Sequence, residues 1–447
     1  MIHRPRLRHL GRALAFAALF ATGAAQTAFG QAVKTIPGEI ILYMQPGTDQ
    51  NVATTLANTV NPVSVTPLLL KDCYLLKLPQ VHANVADTAT AVATLKMNPN
   101  VRWVNANEAV KLLQTGGATK LTPNDPRFNE QWGLTQINMP QAWTLQKGAV
   151  NVNVADVDSG FDPLHEDLKG QYLPESFDFN LNTPNITAVA GNDHGVATSG
   201  VMIALTNNAT GIAGVCWENI KCLGLKVDVT GSPGAINIAA ALNAFAYITA
   251  NKVKLHIVAV NLSFGGGGDP TDTSNPEYVA TKAMVDAGVI VVGSAGNSGD
   301  AGNPINIPAY YPHVISVAST DRNGKTTGYS EFNKVEIAAP GGDAGATGVP
   351  ANGILVTNLG SAYAFEDGTS FAAPHVTAAF GLLMSVPGVT PAQAKKAMFD
   401  TANRKGLALT TLPDAHYGFG VLDVYAALLQ VSVSVVIDDP IGINAQG

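Results

Sequence analysis

From Pro123 onward the chain alternates short, almost continuously apolar runs with longer, alanine-rich runs of helical period. Val150 to Val157, Ile257 to Ser263, Val289 to Gly293 and Val314 to Ala318 have the length and continuity of buried strands. Between and after them, His194 to Ala204, Ala235 to Ala250, Pro276 to Ala287 and Ser370 to Met384 read as helices. Strands apolar on both faces and alternating with helices predict an α/β fold, a mostly parallel sheet with helices on both faces. Reactive groups in such a sheet belong at the carboxyl ends of the strands. Past Leu429, the run Val431 to Ile437 alternates apolar and polar residues and predicts an edge strand, followed by a fraying end at 442–447.

Residues 38–110 are patterned as a separate, smaller unit. Glu39 to Met44 reads as a strand and Asn51 to Thr59 as a helix. Val65 to Leu70 and Tyr74 to Leu78 form a hairpin around Lys71 and Asp72. Ala83 to Met97 is a second helix and Val101 to Val104 a last strand. The order βαββαβ predicts a split βαβ sandwich. Residues 114–120, polar and glycine-bearing, read as a linker exposed to cutting.

Charge and composition narrow the setting. Arg4, Arg6, Arg8 and Arg12 precede an apolar run from Ala13 to Ala25, the arrangement of a secretory signal with cleavage after Ala25 or Gly30. That run is too short to span a bilayer comfortably, so export without a membrane anchor is expected. Removal of residues 1–30 takes away four positive charges and moves the net charge from −7 to −11, which offers no surface for nucleic acid. With 46% hydrophobic and 13% charged residues, the chain suits a tightly packed core and not disorder. The three cysteines do not make a disulfide framework. Cys216 and Cys222 flank a turn and are open either to a local bridge or to two free thiols. No Cys/His cluster has zinc spacing.

Four short motifs carry the chemistry. Asp158-Ser159-Gly160 closes the first strand of the larger unit, which places a carboxylate at a strand's carboxyl end. His194-Gly195 opens a helix. Gly368-Thr369-Ser370 opens another, where unpaired first-turn amides and the helix dipole favour a nucleophile's developing charge. Alone, each motif is an ordinary turn or helix cap. Together, in the order Asp, His, Ser, they fit the roles of a nucleophilic triad. Ala295-Gly296-Asn297 follows a strand and offers a side-chain amide to an oxyanion, beside the N–H of Ser370.

These blocks resemble the subtilases, subtilisin-like serine proteases, in a secreted precursor form. Supporting stretches are Asn124-Asp125-Pro126, Gln131-Trp132-Gly133-Leu134, Gly211 to Val215, Ala338 to Gly341 and Tyr417 to Gly420. The resemblance implies Ser370 as nucleophile, His194 as general base and then acid, Asp158 as its orienting carboxylate, and Asn297 in the oxyanion hole. It implies that Val260 to Gly265 pairs with an extended substrate, with Ser263, Phe264, Gly265, Ala295 and Gly296 contacting it. Gly265 to Gly268 predicts a roomy, apolar first pocket and broad cleavage. The implied division is a signal at 1–30, a propeptide and linker at 31–120, a catalytic domain at 121–430 and a tail at 431–447. The propeptide would act as chaperone and temporary inhibitor, cut off by the enzyme itself. Polypeptide substrates, a monomer and no cofactor for the chemistry are also implied. Residues 205–211 resemble a calcium loop of the family but lack carboxylates, which hard cations favour.

The chain departs from the family pattern in places. Val196 and Ala197 stand where Thr and often a second His follow the catalytic histidine, and Phe371 stands where methionine follows the serine. Asp156 occupies a strand position normally apolar, as a buried acid with a partner or as a second carboxylate near the site. His165 and His375 read as structural. The alternative function is a non-catalytic, peptide-binding protein on the same fold. An esterase or ligase using the same triad is a third.

Overall fold

The computed structural model describes residues 34–68, 71–109, 119–409 and 411–438. The arginine-led segment, most of the 114–120 linker and the 442–447 end therefore lie outside the described residues. The chain divides into two compact units, Met1–Gly117 and Ala118–Gly447.

In the first unit, β1 (Lys34–Met44), α1 (Gln50–Ala57), β2 (Ser64–Pro67), β3 (Cys73–Lys77), α2 (Val85–Lys96) and β4 (Val101–Ala109) follow the expected βαββαβ order. The sheet is antiparallel with order β2-β3-β1-β4. Asp49 and Asn84 cap the two helices by accepting first-turn N–H groups. Ile40, Leu42 and Leu76 of the sheet bury with Ala53, Leu56, Ala91 and Leu95 of the helices, giving this unit a core of its own.

The larger unit begins with two short helices, α3 (Trp132–Gln136) and α4 (Met139–Ala142). It continues through β5 (Asn153–Asp158), β6 (Phe177–Asp178), α5 (His194–Ile203), β7 (Cys222–Lys226), α6 (Ile238–Asn251), β8 (Ile257–Leu262), α7 (Pro276–Asp286), β9 (Ile290–Ser294), β10 (Ile315–Thr320) and β11 (Ile337–Pro340). These seven strands form one parallel sheet in the order β11-β10-β9-β8-β5-β7-β6. After β11 come α8 (Ala344–Thr347), the hairpin β12 (Ile354–Asn358) and β13 (Ala362–Glu366), then α9 (Thr369–Met384), α10 (Pro391–Asp400) and α11 (Val424–Asp438). On one face of the sheet, Val154, Ala259 and Val292 pack against α5, α9, α10 and α11. On the other, Ala155, Val260 and Val291 pack against α6 and α7. Alternate residues of each strand thus serve opposite faces, which is why the strands read as unbroken apolar runs.

The C-terminal alternation is not an edge strand. Residues 431–437 continue α11, whose buried positions Val424, Ala427, Leu428 and Val431 fall at i, i+3, i+4 and i+7 on one helical face. Ser432 returns its hydroxyl to the Leu428 carbonyl (2.8 Å), as helical serines do. Cys216 and Cys222 are separate buried thiols and not a bridge.

Candidate active site

Asp158 ends β5, His194 opens α5, Asn297 follows β9 and Ser370 is the second residue of α9. All four line one cleft of about 900 Å³ at the carboxyl edge of the sheet. Strands β5 and β9 end there because glycine turns the chain away: Gly160 has φ +153° and Gly296 φ +117°.

His194 Nδ1 lies 3.0 Å from both carboxylate oxygens of Asp158. Asp158 is buried, and its Oδ1 also accepts the N–H of Ser159 (2.6 Å). The Asp158 contact fixes the imidazole with Nδ1 protonated and Nε2 free. Burial works against the imidazolium, but the charge and hydrogen bond of Asp158 outweigh it and lift the His194 pKa to about 8. The unusual residues of this turn have apolar duties. Val196 joins the main core, and Ala197 packs with Phe371 and the hairpin residues Ile354 and Val356. The ring of Phe371 lies 5.7 Å from that of His194.

On the serine side, a helix defect sets the position. Pro374 lies inside α9, has no N–H, and leaves the carbonyl of Ser370 without its intrahelical partner. Ser263 donates its hydroxyl to that carbonyl (2.9 Å), and Ser370 donates its own hydroxyl to the Ser263 carbonyl (3.2 Å). Gly368, at φ +154°, turns the chain into the helix, and a side chain there would meet Asn297 Nδ2 at 3.4 Å. Asn297 Oδ1 accepts both the N–H (2.9 Å) and the hydroxyl (2.8 Å) of Thr369. Its NH₂ group is thereby turned toward Gly368 and the amide of Ser370. Two donors converge there, the arrangement an oxyanion needs.

Ser263, Phe264, Gly265 and Gly296 line the cleft. Ala295 does not: it is 1% exposed and holds the wall from behind, donating to Val317 O (3.0 Å) and accepting from Asn306 (3.1 Å). The glycine wall is pinned by paired backbone bonds between Gly266 and Ile307 (2.8 and 2.9 Å). Two further residues shape this region, Thr369 from the Gly368-Thr369-Ser370 motif and Glu331, which carries no readable signal in the sequence. Thr369 orients Asn297. Glu331 lines the cleft behind Gly296 with Oε1 accepting from Ser298 N (3.2 Å) and Oε2 without a hydrogen-bond partner. Burial raises its pKa.

His165 and His375 are structural. His165 bridges Ala362 O (3.1 Å) and Asp167 N (3.0 Å), and His375 donates Nδ1–H to Phe371 O (2.7 Å). Loop 205–211 is not short of carboxylates, because the fold brings them from elsewhere. Asp125 accepts the N–H groups of Asn207 (2.8 Å) and Asn208 (3.1 Å), and Asp167 accepts from the Asn208 side chain (2.8 Å). Burial raises the pKa of both acids, and the Asp167 charge raises that of Asp125 further. Paired carboxylate oxygens are the type of ligand a hard cation takes.

The fold and these motifs define a serine endopeptidase. Residues 150–420 match the Subtilase family, and the chain belongs to it. It is 35% identical to thermitase of Thermoactinomyces vulgaris over 287 residues, 63% of this chain and 92% of thermitase. It is 30% identical to an extracellular protease of Xanthomonas campestris pv. campestris, over 77% of this chain and 62% of that protein. Among solved structures, proteases from Pseudoalteromonas arctica superpose with a TM-score of 0.59 at 29% identity, covering 70% of this chain and all of theirs.

Proposed function

We propose that the chain is an exported, self-maturing zymogen in which Asp158, His194 and Ser370 act as the triad and Asn297 serves the oxyanion. The observation that carries this reading is the Asp158–His194 pair at 3.0 Å, lining one cleft with Ser370 and with an asparagine whose amide Thr369 has already turned. In the reaction, the Ser370 hydroxyl rotates from the Ser263 carbonyl to Nε2 of His194 and attacks the substrate carbonyl as the proton passes to the imidazole. Asp158 stabilises the imidazolium. The NH₂ of Asn297 and the N–H of Ser370 hold the negative oxygen of the tetrahedral intermediate. His194 then protonates the leaving amine, and water repeats the cycle on the acyl-enzyme. An extended polypeptide would pair with the backbone of 263–265.

Residues 31–120 act as the removable propeptide. The arginine-led segment directs export, in keeping with the extracellular relative. The mature enzyme acts as a monomer and needs no cofactor for the chemistry. Calcium would be held by Asp125, Asp167 and Asn208, supplying stability and no chemical step. The experiment is intact-mass and N-terminal analysis of secreted wild type and Ser370→Ala. Wild type is expected to begin within or just after 114–120 and to react with a serine-directed phosphonate, while Ser370→Ala keeps its propeptide. A wild type that neither shortens nor reacts would sink the reading. A chelator is expected to lower the melting temperature of the mature protein, and restored calcium to return it.

A further inference from the structure

Asp156 stands two residues before Asp158 on β5, so both carboxyls leave the same face of the strand. It is fully buried. Asn261 on β8 donates to its Oδ1 (2.9 Å), and Thr198 Oγ1 on α5 lies 2.7 Å from its Oδ2. The titratable groups around it are Asp158 on β5, His194 on α5, Cys222 on β7 and Tyr172 in the segment before β6. Of these only His194 can be positive, and it already faces Asp158. Burial, reinforced by the Asp158 charge, holds Asp156 far above the usual carboxylate range, which makes it a neutral acid at neutral pH.

A neutral carboxyl has one hydrogen to give. The Thr198 hydroxyl donates to Oδ2 when that oxygen is bare; with the proton on Oδ2 the bond reverses, and the Thr198 hydrogen turns to the carbonyl of Gly195 (3.3 Å), the neighbour of His194. On the other side, Asn261 Nδ2 bonds both Asp156 Oδ1 and Ser263 Oγ (3.0 Å), and Ser263 holds the Ser370 carbonyl. Three segments of the site therefore meet at one buried group. The turn after His194, apolar at Val196 and Ala197, recovers a polar tie through Thr198.

We propose that Asp156 is a positioning residue whose carboxylic acid ties the turn carrying His194 and the loop carrying Ser370 to the strand carrying Asp158. The proposal rests on the triad roles given above. Ionisation of Asp156 draws the Thr198 hydrogen from the Gly195 carbonyl to Oδ2 and sets a second negative charge beside Asp158, which retains the proton on His194 and stops it acting as a base.

The test is kcat and KM against pH for the full chain, with Asp156→Asn, Asp156→Val and Thr198→Val. The amide of Asn donates to Thr198 and accepts from Asn261, so Asp156→Asn is expected within about threefold of wild-type kcat at neutral pH. Asp156→Val and Thr198→Val are expected to lose about tenfold in kcat with KM changed less than about twofold. Wild type loses kcat at alkaline pH where Asp156 ionises, and Asp156→Asn holds its plateau there. An Asn variant as impaired as Val, a Thr198→Val variant with wild-type kcat, or identical alkaline limbs in wild type and Asn would each overturn the proposal. If Asp156→Val does not fold, Asp156→Asn and Thr198→Val still decide. Ser370→Ala, run in parallel, separates the two levels: activity surviving there overturns the triad reading itself, whatever Asp156 does.

Discussion

On the Ser370 side of the cleft, position is set by backbone and short polar groups: the Gly368 turn, Thr369 on Asn297, and Ser263 on the carbonyl that Pro374 leaves open. On the His194 side, the turn is packed by Val196, Ala197 and Phe371, and its polar ties are Asp158, a Thr357 hydroxyl on the Val196 carbonyl (2.6 Å), and the Asp156–Thr198 pair. The first wall is held by neutral donors and acceptors that keep their roles at any working pH, although its segments come together from 72 and 107 positions apart. The second depends on groups drawn from distant strands as well, one of them an acid that must keep its proton. The serine wall should therefore respond to single-atom changes, and the histidine wall to pH.

The largest effect expected is from Asn297→Ala, a fall of about 10²–10³ in kcat with KM nearly unchanged, read by steady-state kinetics. A small effect would mean that the serine wall does not depend on its side-chain amide. Gly296→Ala comes next. Its Cβ would stand 2.3 Å from the Glu331 carboxyl carbon, at φ +117°, and a loss of about 2–3 kcal/mol is expected in urea unfolding. For the histidine wall, a base with its pKa lifted to about 8 must lose its proton to work, so kcat/KM should climb through neutral pH, to a plateau in Asp156→Asn and to a maximum in wild type, which falls again as Asp156 ionises. A plateau already complete at pH 6 would contradict this. A last effect concerns stability against pH. Folded Asp156 keeps a proton that the unfolded chain, near 3.8, has lost, so stability should fall as pH rises from there to its raised value. Measured in the Ser370→Ala background to avoid self-digestion, Asp156→Asn should flatten that slope.

The contrast between the walls also explains what could be read from the chain. The serine wall is written in contiguous residues, Gly368 to Pro374 and Ala295 to Asn297, so local turn and cap chemistry exposes it. Asp156 was visible as an oddity in an apolar strand, but its partners Thr198 and Asn261 lie 42 and 105 positions away and only the fold joins them. The carboxylates at loop 205–211, Asp125 and Asp167, likewise come from distant positions that only the fold joins. Strand β7 carries Gly224 at its centre, where Phe161 packs against the missing side chain, and so lacks a strand's composition. Strand β11, Ile-Ala-Ala-Pro, is too short and alanine-rich to announce itself. The Val-Ser alternation of 431–437 misleads because its helical period is set upstream, from Val424.

Pro374 has a meaning beyond its own turn. A helix with an ordinary residue there would recapture the Ser370 carbonyl and close its first turn in the usual way. The address of Ser370 is thus encoded four residues downstream of it. Grafting Gly-Thr-Ser alone onto another helix would transplant a cap. Carrying the proline and a hydroxyl partner such as Ser263 with it would transplant the position of Ser370.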